Sequence, residues 1–393
     1  MVDKQVCAFL PQLPLCSASS VIFNPTQPTP AGMGWLPDFW CNFVPNIPTC
    51  GDGPAVAGDG PLKPLTGFGS NPGNLDAFTY VPPDTSPSPR PLVVALHGCT
   101  QTASDYNDET GWVQLADKLY FAMLFPQQKK ANNPNKCFNW FEPLDNQRGR
   151  GEALSIKQMI DTMLADTSLN VDKQRVYITG LSGGGAMTAV MAATYPEMFA
   201  GAAPIAGIPY GCANDVSSAF RCMSTGKGRN KNGQEIDLLP ADWGERVTSA
   251  SPSSTFPRVS IWQGTSDTTV NQQNGSEMIE QWTNVLGLSQ SSVEQKFKTT
   301  RHLVYQDSSG RPMVEAYFVN NMGHGTPIDS GPAQDQCGKS HPFILEAGIC
   351  SSFYIAKFWG LTSVVASPPA SPSPGNVLIP PFSPAPTNQS SEN

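Results

Sequence analysis

The sequence predicts an α/β fold in which a mostly parallel sheet is covered by helices on both faces. Three observations carry this expectation. Short apolar runs alternate with longer stretches of helical spacing through the middle of the chain, as parallel strands joined by crossover helices require. One strand–turn–helix junction, Gly180-Leu181-Ser182-Gly183-Gly184, is built from small residues around a serine. Polar residues of catalytic type recur just after apolar runs, and a parallel sheet gathers its functional groups at the C-terminal ends of its strands.

The elements follow in chain order. Residues 1–61 are rich in Pro, Gly and Cys without a helical or strand period, and read as a disulfide-held N-terminal extension. Its Trp35 and Trp40 fit either an anchor to the core or a polymer-binding pair. Residues 62–362 are expected to form the catalytic domain. Within it, 76–81 and 92–96 read as strands, 112–120 as a helix and 121–125 as a strand. Residues 152–164 carry apolar side chains three and four apart, an amphipathic helix. Residues 175–179 form a short buried strand, and 185–194 a helix that is apolar all round. Later strands are expected at 258–263, 298–305 and 314–319, with helices at 278–286 and 353–359. Residues 363–393 repeat Pro and Ser, hold no Lys or Arg, and read as a flexible tail.

The junction at Ser182 fits G-x-S-x-G between a strand and a helix. That arrangement is a nucleophile elbow: the sharp turn lifts the hydroxyl out of the sheet and sets it at a helix N-terminus, which favours a developing anion. A nucleophilic serine needs a base held in orientation by an acid. Of the four histidines, His302 lies in a strand and His341 between two cysteines. His97 ends the strand 92–96 and suits an oxyanion loop. His324, in Gly323-His324-Gly325 just past the strand 314–319, is the candidate base. Asp267 follows the strand 258–263 and lies between serine and base in chain order, as the hydrolase elbow requires, so it is the candidate acid. The oxyanion donors are expected to be the backbone N–H groups of Gly183, directly after the serine, and of Cys99 in the loop 97–100. Trp140 and Trp262 both fall near these loops. Trp262 sits in a strand and reads as core, while Trp140 is a candidate lining of an apolar cleft, or equally a packing residue.

Composition sets further bounds. Charged residues make up 14% of the chain and net charge is −8 with no basic stripe, so a nucleic-acid partner is not expected. No stretch approaches the roughly 18 apolar residues of a membrane span. The ten cysteines show no C-x-x-C and no Cys/His cluster of zinc spacing, so no metal site is expected. They group as Cys7, Cys16, Cys41 and Cys50, then Cys99 with Cys137, Cys212 with Cys222, and Cys337 with Cys350. Such grouping suggests local disulfides and an oxidising compartment. Cys99 and Cys137 are the most separated pair; a bridge there would fix the oxyanion loop, and two buried thiols are the alternative. Residues 1–10 lack the apolar run of a secretory signal. Asn274-Gly275-Ser276 and Asn388-Gln389-Ser390 fit the glycosylation pattern.

With these residues in hand, the chain resembles the extracellular poly(3-hydroxybutyrate) depolymerase family of esterases, which is related to feruloyl and acetylxylan esterases. The matching segments are 91–107, 137–156, 180–187 and 262–271, with Gln281-Trp282 and Gly323-His324-Gly325, together spanning roughly residues 71–360. The resemblance implies an α/β-hydrolase fold and a secreted serine esterase without a cofactor. It also implies Ser182, Asp267 and His324 as the triad, with Cys99 as an oxyanion donor. The implied partner is a polymeric or small ester, most simply a hydroxyalkanoate polyester, with a feruloyl or acetyl ester of plant cell-wall polysaccharide as the alternative.

Overall fold

The computed structural model describes residues 61–83, 88–230, 232–289 and 291–362. The first half runs β1 (Lys63–Pro64), β2 (Asp76–Tyr80), β3 (Arg90–Leu96), α1 (Ala103–Thr110), α2 (Trp112–Leu119), β4 (Ala122–Gln127), α3 (Gly151–Ala165), β5 (Val171–Leu181) and α4 (Gly183–Thr194). The chain continues through β6 (Gly201–Ile205), α5 (Val216–Thr225), β7 (Gly228–Arg229), β8 (Glu235–Ile236), α6 (Pro240–Thr248), β9 (Arg258–Gly264) and α7 (Gln273–Val285). It closes with β10 (Val293–Phe297), β11 (Thr300–Gln306), β12 (Pro312–Val319), β13 (Thr326–Ile328), β14 (Ile344–Glu346) and α8 (Ser351–Phe358).

Ten of these strands form one sheet in the order β1-β2-β4-β3-β5-β6-β9-β12-β11-β10. The block from β4 to β12 is parallel throughout. Antiparallel ribbons, β1–β2 on one side and β11–β10 on the other, extend it. The architecture is that of an α/β hydrolase. Side chains alternate along β3: Leu92, Val94 and Leu96 enter one apolar core, Val93 and Ala95 the other. Helices α3, α4, α6 and α7 fill the first core with Ile156, Met187, Trp243 and Trp282. Helices α1, α2 and α8 fill the second with Tyr106, Trp112 and Ile355. All twelve residues of α4 are buried, which is why its sequence is apolar on every side.

The structure also adds to and corrects the sequence reading. Helices α1, α5 and α6 are not expected from the sequence. Helix α1 starts from a capping box between Thr102 and Asp105, and α5 from one between Asp215 and Ser218. Strand β6 reads Gly-Ala-Ala-Pro-Ile, too small and too proline-bearing to announce a central strand. Asn274 is not a glycosylation acceptor: it is fully buried in α7, and its amide donates to Cys222 O at 2.9 Å. Asn388 lies outside the described residues, as do Trp35, Trp40, the cysteines Cys7, Cys16, Cys41 and Cys50, and the tail 363–393. Three disulfides join Cys99 to Cys137, Cys212 to Cys222 and Cys337 to Cys350. Among the described residues, no helix is long and apolar enough to cross a membrane.

Candidate active site

Because β3, β5, β6, β9 and β12 run parallel, the loops that follow them all emerge on one edge of the sheet. Ser182 is the single residue between β5 and α4, with φ 56° and ψ −117°. Its N–H donates to Ile205 O at 2.9 Å and its carbonyl accepts from Ala186 N at 2.8 Å, so strand, elbow and helix are stitched together. The turn admits only small neighbours. A Cβ on Gly184 would lie 2.4 Å from Leu96 O and 2.5 Å from His97 O, which would push α4 off the end of β3. Gly183 opens the helix, and an amide at the first helical position has no intrahelical acceptor.

The loop after β3 supplies the second expected donor. Its amides at Gly98 and Thr100 donate to Gln101 Oε1 (2.9 Å) and Asn135 O (2.7 Å). The Cys99 amide between them meets no acceptor among the described residues. The loop reaches the elbow itself, since a Cβ on Gly183 would stand 3.2 Å from Cys99 Sγ and 3.7 Å from Phe138 N. His97 braces this loop from below. It accepts from Gln128 N at Nε2 (3.1 Å), so the proton resides on Nδ1, which donates to Gly98 O at 2.7 Å. Burial pulls the imidazole down to about 4, and the ring is neutral at ordinary pH.

Asp267 lies in the turn after β9 and is buried. Its Oδ1 accepts from Thr269 N (2.9 Å) and Val270 N (2.8 Å), and its Oδ2 from Gln263 Nε2 (3.2 Å) and His324 Nδ1 (2.7 Å). All four of these groups donate to the carboxyl oxygens. They place the His324 proton on Nδ1 and leave the Nε2 lone pair available. The histidine loop after β12 is pinned to the acid loop by Thr265 N to Val319 O (3.0 Å), Ser266 N to Met322 O (2.9 Å) and Asn321 N to Thr265 Oγ1 (2.9 Å). Gly264 permits this closeness, because a Cβ there would fall 2.4 Å from Met322 O. Among the described residues no hydrogen bond joins Ser182 Oγ to His324; the three side chains share the sheet edge through their loops.

The other expected residues separate cleanly. Trp140 is 7% exposed, packs edge-on to Phe141 with ring centres 5.4 Å apart, and belongs to the core on the α3 face. Its burial favours packing over cleft lining. Trp262 is fully buried and stacks on Tyr317 at 3.9 Å. His302 contacts Glu315 and His341 contacts Glu109, both away from Ser182's elbow. The sequence reading missed Gln128, Glu152 and Gln263; only the lone acid on the buried face of α3 marks any of them. Among the described residues no three His, Cys, Asp or Glu side chains converge as a metal site would require.

A sequence profile for the family described as Esterase PHB depolymerase matches residues 75–305. The chain belongs to this family. The matched stretch holds Ser182 and Asp267, and His324 follows it. The esterase is 50% identical over 303 residues to poly(3-hydroxyalkanoate) depolymerase C of Paucimonas lemoignei, covering 76% of this chain and 70% of that protein. It is 33% identical over 272 residues to a probable acetylxylan esterase A of Aspergillus fumigatus, covering 68% and 71%. Among solved structures it is similar to an acetyl xylan esterase from Aspergillus awamori, with TM-score 0.58 and 27% identity over 67% of this chain and 94% of that one. The protein is thus a carboxylic ester hydrolase.

Proposed function

We propose that this esterase is a secreted serine hydrolase that depolymerises poly(3-hydroxyalkanoate) polyesters of the hydroxybutyrate type, through Ser182, His324 and Asp267. Residues 62–362 form its catalytic unit in this reading. The observation that carries the substrate is the 50% identity to a poly(3-hydroxyalkanoate) depolymerase, against 33% to an acetylxylan esterase. The disulfides support export to an oxidising compartment.

In the mechanism, Ser182 Oγ attacks the ester carbonyl carbon while His324 Nε2 takes its proton. Asp267 holds the imidazole in the tautomer needed and stabilises the imidazolium. The carbonyl oxygen, now an anion, is received by the N–H groups of Gly183 and Cys99; each such donor is worth roughly 100- to 1000-fold in rate. Collapse of the tetrahedral intermediate breaks the bond to the leaving hydroxyl oxygen, which takes the proton from His324. Water then attacks the acyl-enzyme as His324 takes its proton, and the second tetrahedral intermediate collapses by breaking the bond to Ser182 Oγ, which recovers that proton from His324 as the acid leaves. A low-charge surface suits an uncharged aliphatic chain, whereas a feruloyl site needs partners for a phenolic hydroxyl.

The test is side-by-side turnover of a poly(3-hydroxybutyrate) suspension, acetylated xylan and methyl ferulate. The suspension should clear, and Ser182→Ala should leave it turbid. Release of acetate or ferulate without clearing moves the protein to the alternative class of plant cell-wall esterases.

A further inference from the structure

The two arms of the Cys99–Cys137 bridge are held by one buried polar network whose centre is not a triad residue. On the Cys137 arm, Asn139 N donates to Glu152 Oε2 at 2.8 Å, and Cys137 O accepts from Gln128 Nε2 at 3.1 Å. The same Gln128 Nε2 donates to Glu152 Oε1 at 2.5 Å. On the Cys99 arm, Gln128 N donates to His97, which in turn holds Gly98 O. The Gln128 amide cannot flip, because its Oε1 already accepts from Lys129 N (2.9 Å) and Asn132 Nδ2 (2.7 Å). Gln128 and Glu152 are each 1% exposed. Gln128 follows β4, Glu152 stands in the first turn of α3, and its own N–H is capped by Asp145 Oδ1 at 3.1 Å.

We propose that Glu152 is a positioning residue for ester hydrolysis, fixing the oxyanion amide of Cys99 through Gln128 and the Cys99–Cys137 disulfide. The inference rests on the reading of Ser182 as nucleophile and Cys99 as oxyanion donor. Its geometric basis is the distance chain just given: the Glu152 carboxylate accepts from Asn139 N on one side of Phe138 and, through Gln128 Nε2, holds Cys137 O on the other, and Phe138 N lies beside Gly183, the other oxyanion donor. An oxyanion hole works only if its donors are already aimed where charge will develop, so a disulfide hanging between two loops needs a rigid floor. The floor is costly to keep. The groups donating to Glu152 are neutral amides, and burial, reinforced by nearby Asp145, raises its carboxyl to about 8. Between the ordinary carboxyl range and that value the folded protein binds more protons than the unfolded chain, so this group subtracts stability as pH rises through the window. An apolar residue would hold helix and strand together more cheaply, but it could not accept from two donors at once.

The experiment uses the full chain with a soluble short-chain p-nitrophenyl ester, and phenylboronic acid as a tetrahedral adduct-forming inhibitor. Glu152→Ala is expected to lower kcat by about 10- to 100-fold with KM changed less than about threefold, because a misaimed donor acts on the transition state and not on ground-state binding. The boronic acid should lose affinity by a similar factor. Glu152→Gln keeps the volume but only one acceptor and sets an amide N–H against the second donor, so it should lower kcat and boronate affinity by about threefold to tenfold with KM unchanged. It also carries the test should the alanine variant fail to fold. Glu152→Gln and Glu152→Ala that are folded with wild-type kcat and boronate affinity, or that raise KM while leaving kcat alone, overturn the proposal. Ser182→Ala run in parallel separates the two readings: an active Ser182→Ala sinks the nucleophile assignment, whereas an inactive one beside unaffected Glu152 variants sinks only this inference.

Discussion

Two histidine–carboxylate pairs lie along β9, β11 and β12, one inside the strands and one on the loops past their ends, and only the second leaves a ring nitrogen facing the proposed nucleophile's edge of the sheet. His324 meets Asp267 at 2.7 Å and His302 meets Glu315 at 3.0 Å, and a serine accompanies each pair. The difference is which atoms are spent. His324 gives Nδ1 to its acid and keeps Nε2, whereas His302 gives Nε2 to Glu315. Ser260, the serine of the second set, donates its hydroxyl to Glu315 Oε1 at 2.7 Å and accepts from Trp262 Nε1 at 3.0 Å, so the carboxylate sits between serine and histidine. His302, Tyr317 and Trp262 are also directly opposite one another on β11, β12 and β9, and their rings stack at 4.0 and 3.9 Å. That set is a cross-strand ladder holding the parallel block to its antiparallel ribbon. The same residue types make structure inside strands, and on the loops past the strand ends, next to a strained elbow, they make the site proposed above.

This contrast can be broken most forcefully at the triad. Ser182→Ala and His324→Ala are each expected to lower kcat on a soluble ester by on the order of 10⁶, leaving only the rate supplied by the oxyanion hole and binding. Near wild-type turnover by folded His324→Ala would return the role of base to the other histidines. Asp267→Asn should cost about 10⁴ by presenting the wrong tautomer of His324, a loss read in kcat at unchanged fold. At the second pair the expectation inverts: His302→Ala should keep kcat within about threefold while losing about 1–3 kcal/mol of stability in urea titration, from the lost stack and a buried Glu315 left short of a partner. A dead but fully stable His302→Ala would erase the distinction.

His97 sharpens the comparison with the smallest effect. Both of its ring nitrogens are engaged by backbone groups, and burial holds it near 4 against an ordinary value of 6.5. The unfolded chain therefore binds a proton that the folded protein refuses between those values. Its contribution to stability is complete above pH 6.5 and is lost as pH falls toward 4, up to on the order of 3 kcal/mol. Glu109 and Glu152, raised to about 8 by burial, act with the opposite sign from pH 4.5 to 8. The measurement is accordingly a difference: urea midpoints of wild type and His97→Gln from pH 4 to 7 should converge on the acid side, and parallel curves would show that His97 does not titrate in this way.

Much of the site was legible because steric demand writes itself into sequence. Gly184 beside Ser182 is required by its contacts with Leu96 O and His97 O, and a histidine or aspartate just past an apolar run marks a strand end. The fold class followed from the same alternation of apolar runs and helical spacing. What stayed hidden has the opposite character. Helices α1 and α5 begin from polar capping boxes, and β6 is made of small residues whose burial comes from neighbours. Glu152 and Gln128 act through hydrogen bonds across 24 residues of chain, a relation that no local pattern encodes. Asn274 shows the converse error, since its motif is intact but its side chain is enclosed by α5.

The left-handed backbone at Ser182 sets durability against turnover at a single residue. A side chain at φ 56° with ψ −117° sits where glycine alone is comfortable, at a cost of roughly 1–3 kcal/mol. The substitution that would relax the protein most at this point, Ser182→Gly, is the one that deletes the proposed nucleophile. Thermal melts should rank Ser182→Gly above Ser182→Ala, since alanine keeps the Cβ and hence the strain. On the proposed mechanism, efforts to harden this esterase must therefore find their gains elsewhere in the chain, because any pressure for heat resistance that reaches the elbow selects for a protein that endures and does nothing.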